Sequence, residues 1–272
     1  MACLSIDVTV ATLNNESTID RCLRAIREHL PVENLIVVDG GSTDRTLELA
    51  RAQQARLIYE PGLLGRVRFI QARECTTEWI AYVDSDVFVY QQWWPEVSQY
   101  VSDLSVGMVS GFVDLELGKL PEYDAFLKYK ARKFGVEAFS NTLIRRGLVL
   151  ECEDKLRNVH AGEDSVVARH VVARGYRIIT IPKRLCFHDR KIIETHPQAY
   201  FRSGQSIRQS SGAKGIYRIA NSVRRAFCDW RAFSIDTGNF SPKLLAYLGK
   251  LYAWMIIGFL SDSSALKQAK RS

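Results

Sequence analysis

Trp79-Ile80-Ala81-Tyr82-Val83-Asp84-Ser85-Asp86 is an apolar run that ends in two carboxylates one residue apart. A short apolar segment of this kind reads as a buried strand of a parallel sheet, and open α/β sheets bind their ligands beyond the carboxyl ends of such strands. Two carboxylates presented there suit a hard divalent cation, which takes its other ligands from water and from a substrate diphosphate. The same residues also describe a solvated turn after a strand. The choice between the two rests on what the rest of the chain brings to that place.

The elements that would position this turn can be followed from the first residues. Leu4, Ile6, Val8 and Val10 alternate with polar residues, the period-two signal of a strand, which ends at Thr12-Leu13-Asn14-Asn15. Ile19, Cys22, Leu23, Ile26 and Leu30 then recur at helical spacing and stop at Pro31. Leu35 to Val38 gives a second strand running into Asp39-Gly40-Gly41-Ser42, Thr46 to Gln54 a helix, Arg56 to Glu60 a short strand and Arg66 to Glu74 a further helix. Strand and helix alternating at such short spacing predict a parallel, doubly wound sheet with right-handed crossovers. The loops after strands one, two and four then open on one edge. Asn14-Asn15-Glu16, Asp39-Gly40-Gly41 and Asp84-Ser85-Asp86 converge there, and Asp39 can accept hydrogen bonds from a base or ribose. Gly40-Gly41 serves equally as a plain turn into a helix cap.

Further on, Val106 to Val113 and Tyr176 to Ile181 read as strands, and Gly118 to Lys133 as a loop and helix. Val166, Val167, His170 and Val171 lie in a helix that closes at Gly175. At the start of that helix stands His160-Ala161-Gly162-Glu163-Asp164, whose two acids would at least cap it and complement its dipole.

Taken together these stretches are similar to the family 2 glycosyltransferases of the GT-A fold. Val37 to Thr46, Gln71-Ala72-Arg73 and Val83 to Asp86 stand in that family's order, and the resemblance covers about residues 4 to 210. It implies a GT-A, mostly parallel α/β sheet flanked by helices, with residues 1–210 as catalytic domain and 211–272 as a helical appendage. It also implies that Asp39 and Glu16 hold the nucleotide, that Arg73 lies near the diphosphate, and that Asp84 and Asp86 hold nucleotide and metal, Mn²⁺ or Mg²⁺. Asn141 opens a stretch that resembles the edge of the sugar pocket. Asp164 would be the base that takes the acceptor proton, Glu163 would bind acceptor hydroxyls, and His188 would be the third metal ligand. His160, His170 and His196 read as surface or packing residues.

The bulk numbers agree with an enzyme of this size. An apolar content of 47% with 25% charge excludes a chain too polar to fold. The net charge of +7 is concentrated, since Lys183 to Arg231 holds eleven Lys/Arg against three Asp/Glu. Such a stretch suits phosphates of a nucleotide, a lipid headgroup or a nucleic acid; no nucleic-acid motif accompanies it, so no nucleic-acid partner is expected. The six cysteines form no Cys-x-x-Cys pair, which argues against zinc or a redox motif. Met1 to Ser5 carries no basic segment followed by an apolar one, so the catalytic part is expected in the cytoplasm, at the membrane face if the C-terminal region docks there.

That region begins with Arg202, Arg208 and Lys214 among serines and glycines, a loop able to clamp a diphosphate or simply a solvated basic loop. Gln205-Ser206-Ile207-Arg208 is followed by Gln209 rather than the Trp of processive synthases. Ile216 to Phe233 has the pattern of an interfacial helix. Leu244 to Leu260 is apolar but interrupted by Lys250, and reads either as a shallow membrane anchor or as part of a helical hairpin packed on the protein. The expectation is an inverting, metal-dependent transferase moving a hexose from a UDP- or GDP-linked sugar to a hydroxyl of a glycan or lipid-linked acceptor. Transfer to a polyprenyl phosphate, and a non-catalytic basic nucleotide- or nucleic-acid-binding protein, are the competing readings.

Overall fold

The computed structural model describes residues 4–115, 121–134, 139–159, 162–189, 197, 200–201, 203–205, 207–208 and 212–261. Its contacts divide into two units, residues 1–116 with 135–190, and residues 117–134 with 191–272. His160, His196, Arg202 and Gln209 lie outside the described residues.

The first unit is built on β1 (Ile6–Thr12), α1 (Ile19–His29), β2 (Val32–Asp39), α2 (Thr46–Ala52), β3 (Arg56–Tyr59), α3 (Leu64–Glu74) and β4 (Trp79–Asp84). There follow β5 (Val87–Val89), α4 (Trp93–Val97) and β6 (Val106–Leu115); α5 (Pro121–Phe134) belongs to the second unit. The first unit ends with β7 (Asn141–Arg145), α6 (Arg146–Leu150), α7 (Glu153–Leu156), α8 (Glu163–Ala173) and β8 (Arg177–His188). The sheet order is β3-β2-β1-β4-β7-β6-β8-β5. Strands β3, β2, β1 and β4 are parallel, as their βα alternation requires. Beyond β4 the sheet is mixed: β7 is antiparallel to β4 and β6, β8 parallel to β6, and β5 antiparallel to β8. The parallel, doubly wound run expected from strand–helix alternation is thus present over the first four strands, and the mostly parallel sheet turns mixed beyond β4. The connection from β6 to β7 leaves the sheet through α5, so the chain is free to return in the opposite direction.

One face of the parallel half is covered by α1, which buries Ile19, Cys22, Leu23 and Ile26 against Ile6, Val8 and Val10. The other is covered by α3, α6 and α8 over Ile36, Val38, Ile80 and Tyr82. Asp7 breaks the apolar pattern of β1 although it is fully buried. Its carboxylate accepts from the backbone N–H of Thr76, from that of Thr77 at 3.1 Å and from Asn34 Nδ2 at 2.7 Å. Burial alone would raise its pKa, but these donors outweigh it and hold the pKa below the ordinary 3.8. Because the folded value is the lower one, Asp7 stabilises the fold fully above the unfolded value and the contribution is lost as pH falls through the folded value. Asp7→Ala should cost about 2–4 kcal/mol at neutral pH through the orphaned N–H groups. The difference from the parent should shrink in urea titrations run in increasingly acidic buffer.

In the second unit, the helices Gly215–Thr237 and Pro242–Leu260 pack with α5 around Phe126, Trp230, Phe233, Leu244 and Leu251. The second of these helices is long and apolar enough to cross a membrane by length and composition.

Candidate active site

The parallel strands bring three loops to one edge. Asn15 Nδ2 donates to Ser85 Oγ, and the Asn15 N–H donates to Thr46 Oγ1 at 2.8 Å, so the first loop is tied to both others. Asn14, in a left-handed conformation at φ 52°, accepts from the Thr43 N–H at 2.8 Å. Asp39 is buried at the end of β2, where its carboxylate accepts the N–H groups of Gly41 and Ser42 at 2.8 and 2.9 Å. Gly41 needs φ 106° to close that loop, and its Cα faces the ring of Tyr59. Tyr59 is 70% exposed and offers an apolar platform at this edge that periodicity alone does not reveal. Glu16 is exposed beside the same loop and accepts from the Arg45 N–H at 3.0 Å.

The carboxylates of Asp84 and Asp86 and the imidazole of His188 offer ligand atoms all within 4.8 Å of one another. His188 is brought there by strand pairing: β5 runs antiparallel to the end of β8 with Val87 opposite His188, and the Asp189 N–H donates to the Asp86 carbonyl at 2.8 Å. His188 Nε2 stands 2.9 Å from Asp86 Oδ1. Two carboxylates and one imidazole on a half-buried edge can hold a divalent ion that tolerates mixed oxygen and nitrogen donors, and they leave room for other ligands. Behind them, the thiol of Cys22 donates to the Asp84 carbonyl at 3.4 Å; burial first, then Asp86 and Asp84, push its pKa up, so it stays a neutral thiol.

A residue not singled out from the sequence joins this group to α8. Arg68 of α3 is buried, with Nη2 2.7 Å from Asp84 Oδ1 and Nε 3.4 Å from Glu163 Oε1. Burial works against its charge, but Asp84 and Glu163 outweigh that and raise its pKa further. Glu163 is thereby committed to an internal ion pair rather than lying open to an acceptor. Asp164 follows it on the first turn of α8, after Gly162 at φ 81°, and its Oδ1 accepts from the Ser165 N–H at 2.7 Å. Arg68 thus fixes the start of α8 beside the Asp84 loop. Removing it takes the buried cation away from two facing acids, so Arg68→Met should lower stability by about 3–5 kcal/mol in denaturant unfolding. Arg68→Lys, a single point charge in place of a fork, should recover only part of that.

Arg73 stands apart from this group, whereas Asn141 begins β7 opposite Val83, one residue before Asp84. Arg73 is exposed at the far end of α3, where Nη2 meets Glu74 at 3.0 Å. Asn141 is buried in β7 and both ends of its amide clamp Gly111 of β6, at 3.0 and 3.2 Å. Arg208 belongs to the second unit, with its guanidinium 5.3 Å from the centre of the Phe259 ring. His170 packs between Glu151 and Lys155, each at 2.9 Å.

An open α/β sheet with loops gathered at its parallel edge, an acid–acid–histidine group at the switch into a mixed half and an acidic helix start beside it defines a GT-A architecture. The chain belongs to glycosyl transferase family 2, whose model matches residues 7–150. An uncharacterized glycosyltransferase of Rickettsia typhi is 29% identical over 94 residues, which is 34% of this chain and 31% of that protein, so the match spans about a third of the relative's length. Among solved structures, a mannosyltransferase from Pyrobaculum calidifontis, in complex with GDP-Man and Mn²⁺, is 21% identical over 98% of this chain and 75% of its own, with a TM-score of 0.57. A glucosyl-3-phosphoglycerate synthase from Mycobacterium tuberculosis, in complex with Mn²⁺, UDP and glucosyl-3-phosphoglycerate, is 19% identical over 70% and 74%, with a TM-score of 0.51. At these identities the likeness is one of fold.

Proposed function

We propose that this chain is an inverting, metal-dependent glycosyltransferase that moves a hexose from a nucleoside diphosphate sugar to a hydroxyl of a glycan or lipid-linked acceptor. The observation that carries the proposal is the gathering of Asp84, Asp86 and His188 at the sheet edge, with the Asp164 helix start linked to it through Arg68. Family membership supports the transferase class, and the GDP-Man, UDP and Mn²⁺ bound by the two structural neighbours support a nucleotide-linked donor.

On this reading the loops around Asn15, Glu16, Asp39 and Tyr59 receive the nucleoside, and Asp84, Asp86 and His188 hold Mn²⁺ or Mg²⁺. When bound, the ion supplies Lewis acidity to the departing diphosphate. Asp164 takes the proton of the acceptor hydroxyl while that oxygen forms its bond to the anomeric carbon. The bond to the diphosphate breaks with its electron pair staying on the leaving group. Attack from the opposite face turns an α-linked donor into a β-linked product.

Thermal melting with UDP, GDP and their sugars, with and without Mn²⁺, tests the reading. One nucleotide series at about a hundred times its Kd should add about 2.7 kcal/mol of stability, and only with metal present. No response to any nucleotide would overturn it in favour of a non-catalytic role.

A further inference from the structure

Within the second unit, the two-helix hairpin leaves an apolar strip open beside its core. The helix Pro242–Leu260 commits Leu244, Leu248, Leu251, Met255 and Phe259 to packing. It also approaches the backbone of Phe201 and Gly204 so closely that a Cβ on Gly258 or Gly204 would collide with main-chain atoms. Beside that packed side, one position on, Leu245, Gly249, Tyr252, Ile256 and Leu260 repeat at helical spacing with no charge among them; Leu245 and Tyr252 are half-buried at the margin of the core, while Gly249, Ile256 and Leu260 are exposed. Residues 245 to 256 of this strip and Val223 and Phe227 of the helix Gly215–Thr237 line an apolar groove of about 260 Å³, floored by the buried Leu248 and Ala226. Phe227 is 51% exposed and Leu260 71%.

The charges around the groove are of one sign. Arg224 and Arg231, seven residues apart, flank Phe227, while Lys243 and Lys250, also seven apart, bound the other side of the apolar stripe. The acids of the hairpin point elsewhere: Asp229 pairs with Lys130 of α5 at 2.8 Å, and Asp236 accepts from Tyr129 of α5 at 2.6 Å. An apolar strip edged by cations matches a surface that is hydrocarbon inside and phosphate outside. The first helix, with four arginines and two aspartates, cannot enter hydrocarbon. The second helix is packed on the first, so it can sink only along its free side, in the plane of the membrane.

We propose that this side of the hairpin docks in-plane on a leaflet rich in anionic phospholipid, with an acyl chain in the groove and Arg224, Arg231, Lys243 and Lys250 on the phosphates. The surface is independent of the nucleotide crevice, so docking and nucleotide binding can succeed or fail separately.

The test is co-sedimentation of the full chain with vesicles of phosphatidylcholine alone, or mixed with about as much phosphatidylglycerol. Exposed Cys228 lies one turn from both Arg224 and Arg231 and carries an environment-sensitive dye, in a chain with Cys3→Ser. Binding to the anionic vesicles with a blue shift at Cys228, and release by alkaline carbonate, is expected. Arg224→Gln with Arg231→Gln should weaken partition by about 25-fold, at about fivefold per cation. Ile256→Ser should weaken it without changing the melting temperature. Equal binding to neutral vesicles, or resistance to carbonate as for a spanning helix, would overturn the proposal. So would burial of Cys228 by self-association in lipid-free buffer, which would assign the groove to a second copy of the chain.

Discussion

Asp86→Ala should abolish the Mn²⁺-dependent part of nucleotide stabilisation and reduce transfer by about a thousandfold or more, the scale set by losing a metal's stabilisation of a leaving diphosphate. Asp86 is the member of the group best suited to such a test. Asp84 also anchors buried Arg68 at 2.7 Å, so its replacement would disturb α8 as well as the metal. His188 is buried at the end of β8, and its loss would leave a cavity. Asp86 keeps 32% of its side chain exposed and has His188 as its nearest ion-pair partner, so the unliganded protein should melt almost as the parent does. Calorimetric titration with Mn²⁺ and the nucleoside diphosphate found active in melting would check it. An unaltered metal response in Asp86→Ala would move the ion away from this edge.

The acids at the end of β4 and the loops of β1 and β2 were legible because strand periodicity places them. Ile6, Val8 and Val10 put the apolar side chains of β1 on one face, although Asp7 and Thr9 on the other are buried as well in this central strand, and three parallel strands must open on one edge. His188 was reached only through the family resemblance. Its approach to Asp86 depends on the antiparallel pairing of a three-residue strand with the end of β8, and no local signal marks that pairing. Arg68 was readable in principle. It stands between Val67 and Ile70 on the buried side of α3, and a cation there requires an acid from another element. Arg73, five residues on, is exposed at the C-terminal end of the same helix, where no such burial constrains it. The mixed half of the sheet was not legible, because strand periodicity carries no direction and the β6–β7 connection passes through another unit.

Asp164→Asn should reduce transfer to a hydroxyl acceptor by about 10²–10⁴-fold, the range for losing a general base, with little change in donor affinity. The substitution keeps size and a carbonyl oxygen, so the hydrogen bond from the Ser165 N–H at 2.7 Å can persist and the start of α8 should hold. Were Asp164 only a helix-terminal acid, the result would be the reverse: a loss of a few tenths to about 1 kcal/mol of stability with activity retained. The variant also separates two acceptor classes. A hydroxyl must lose its proton as it attacks, whereas a phosphate acceptor is already anionic and needs no base. Full activity of Asp164→Asn on a polyprenyl phosphate, with none on sugar hydroxyls, would assign the crevice to the lipid phosphate. Loss with a hydroxyl acceptor, alongside unchanged Mn²⁺-dependent nucleotide binding, would place the defect in the proton transfer itself, since the donor side would be intact.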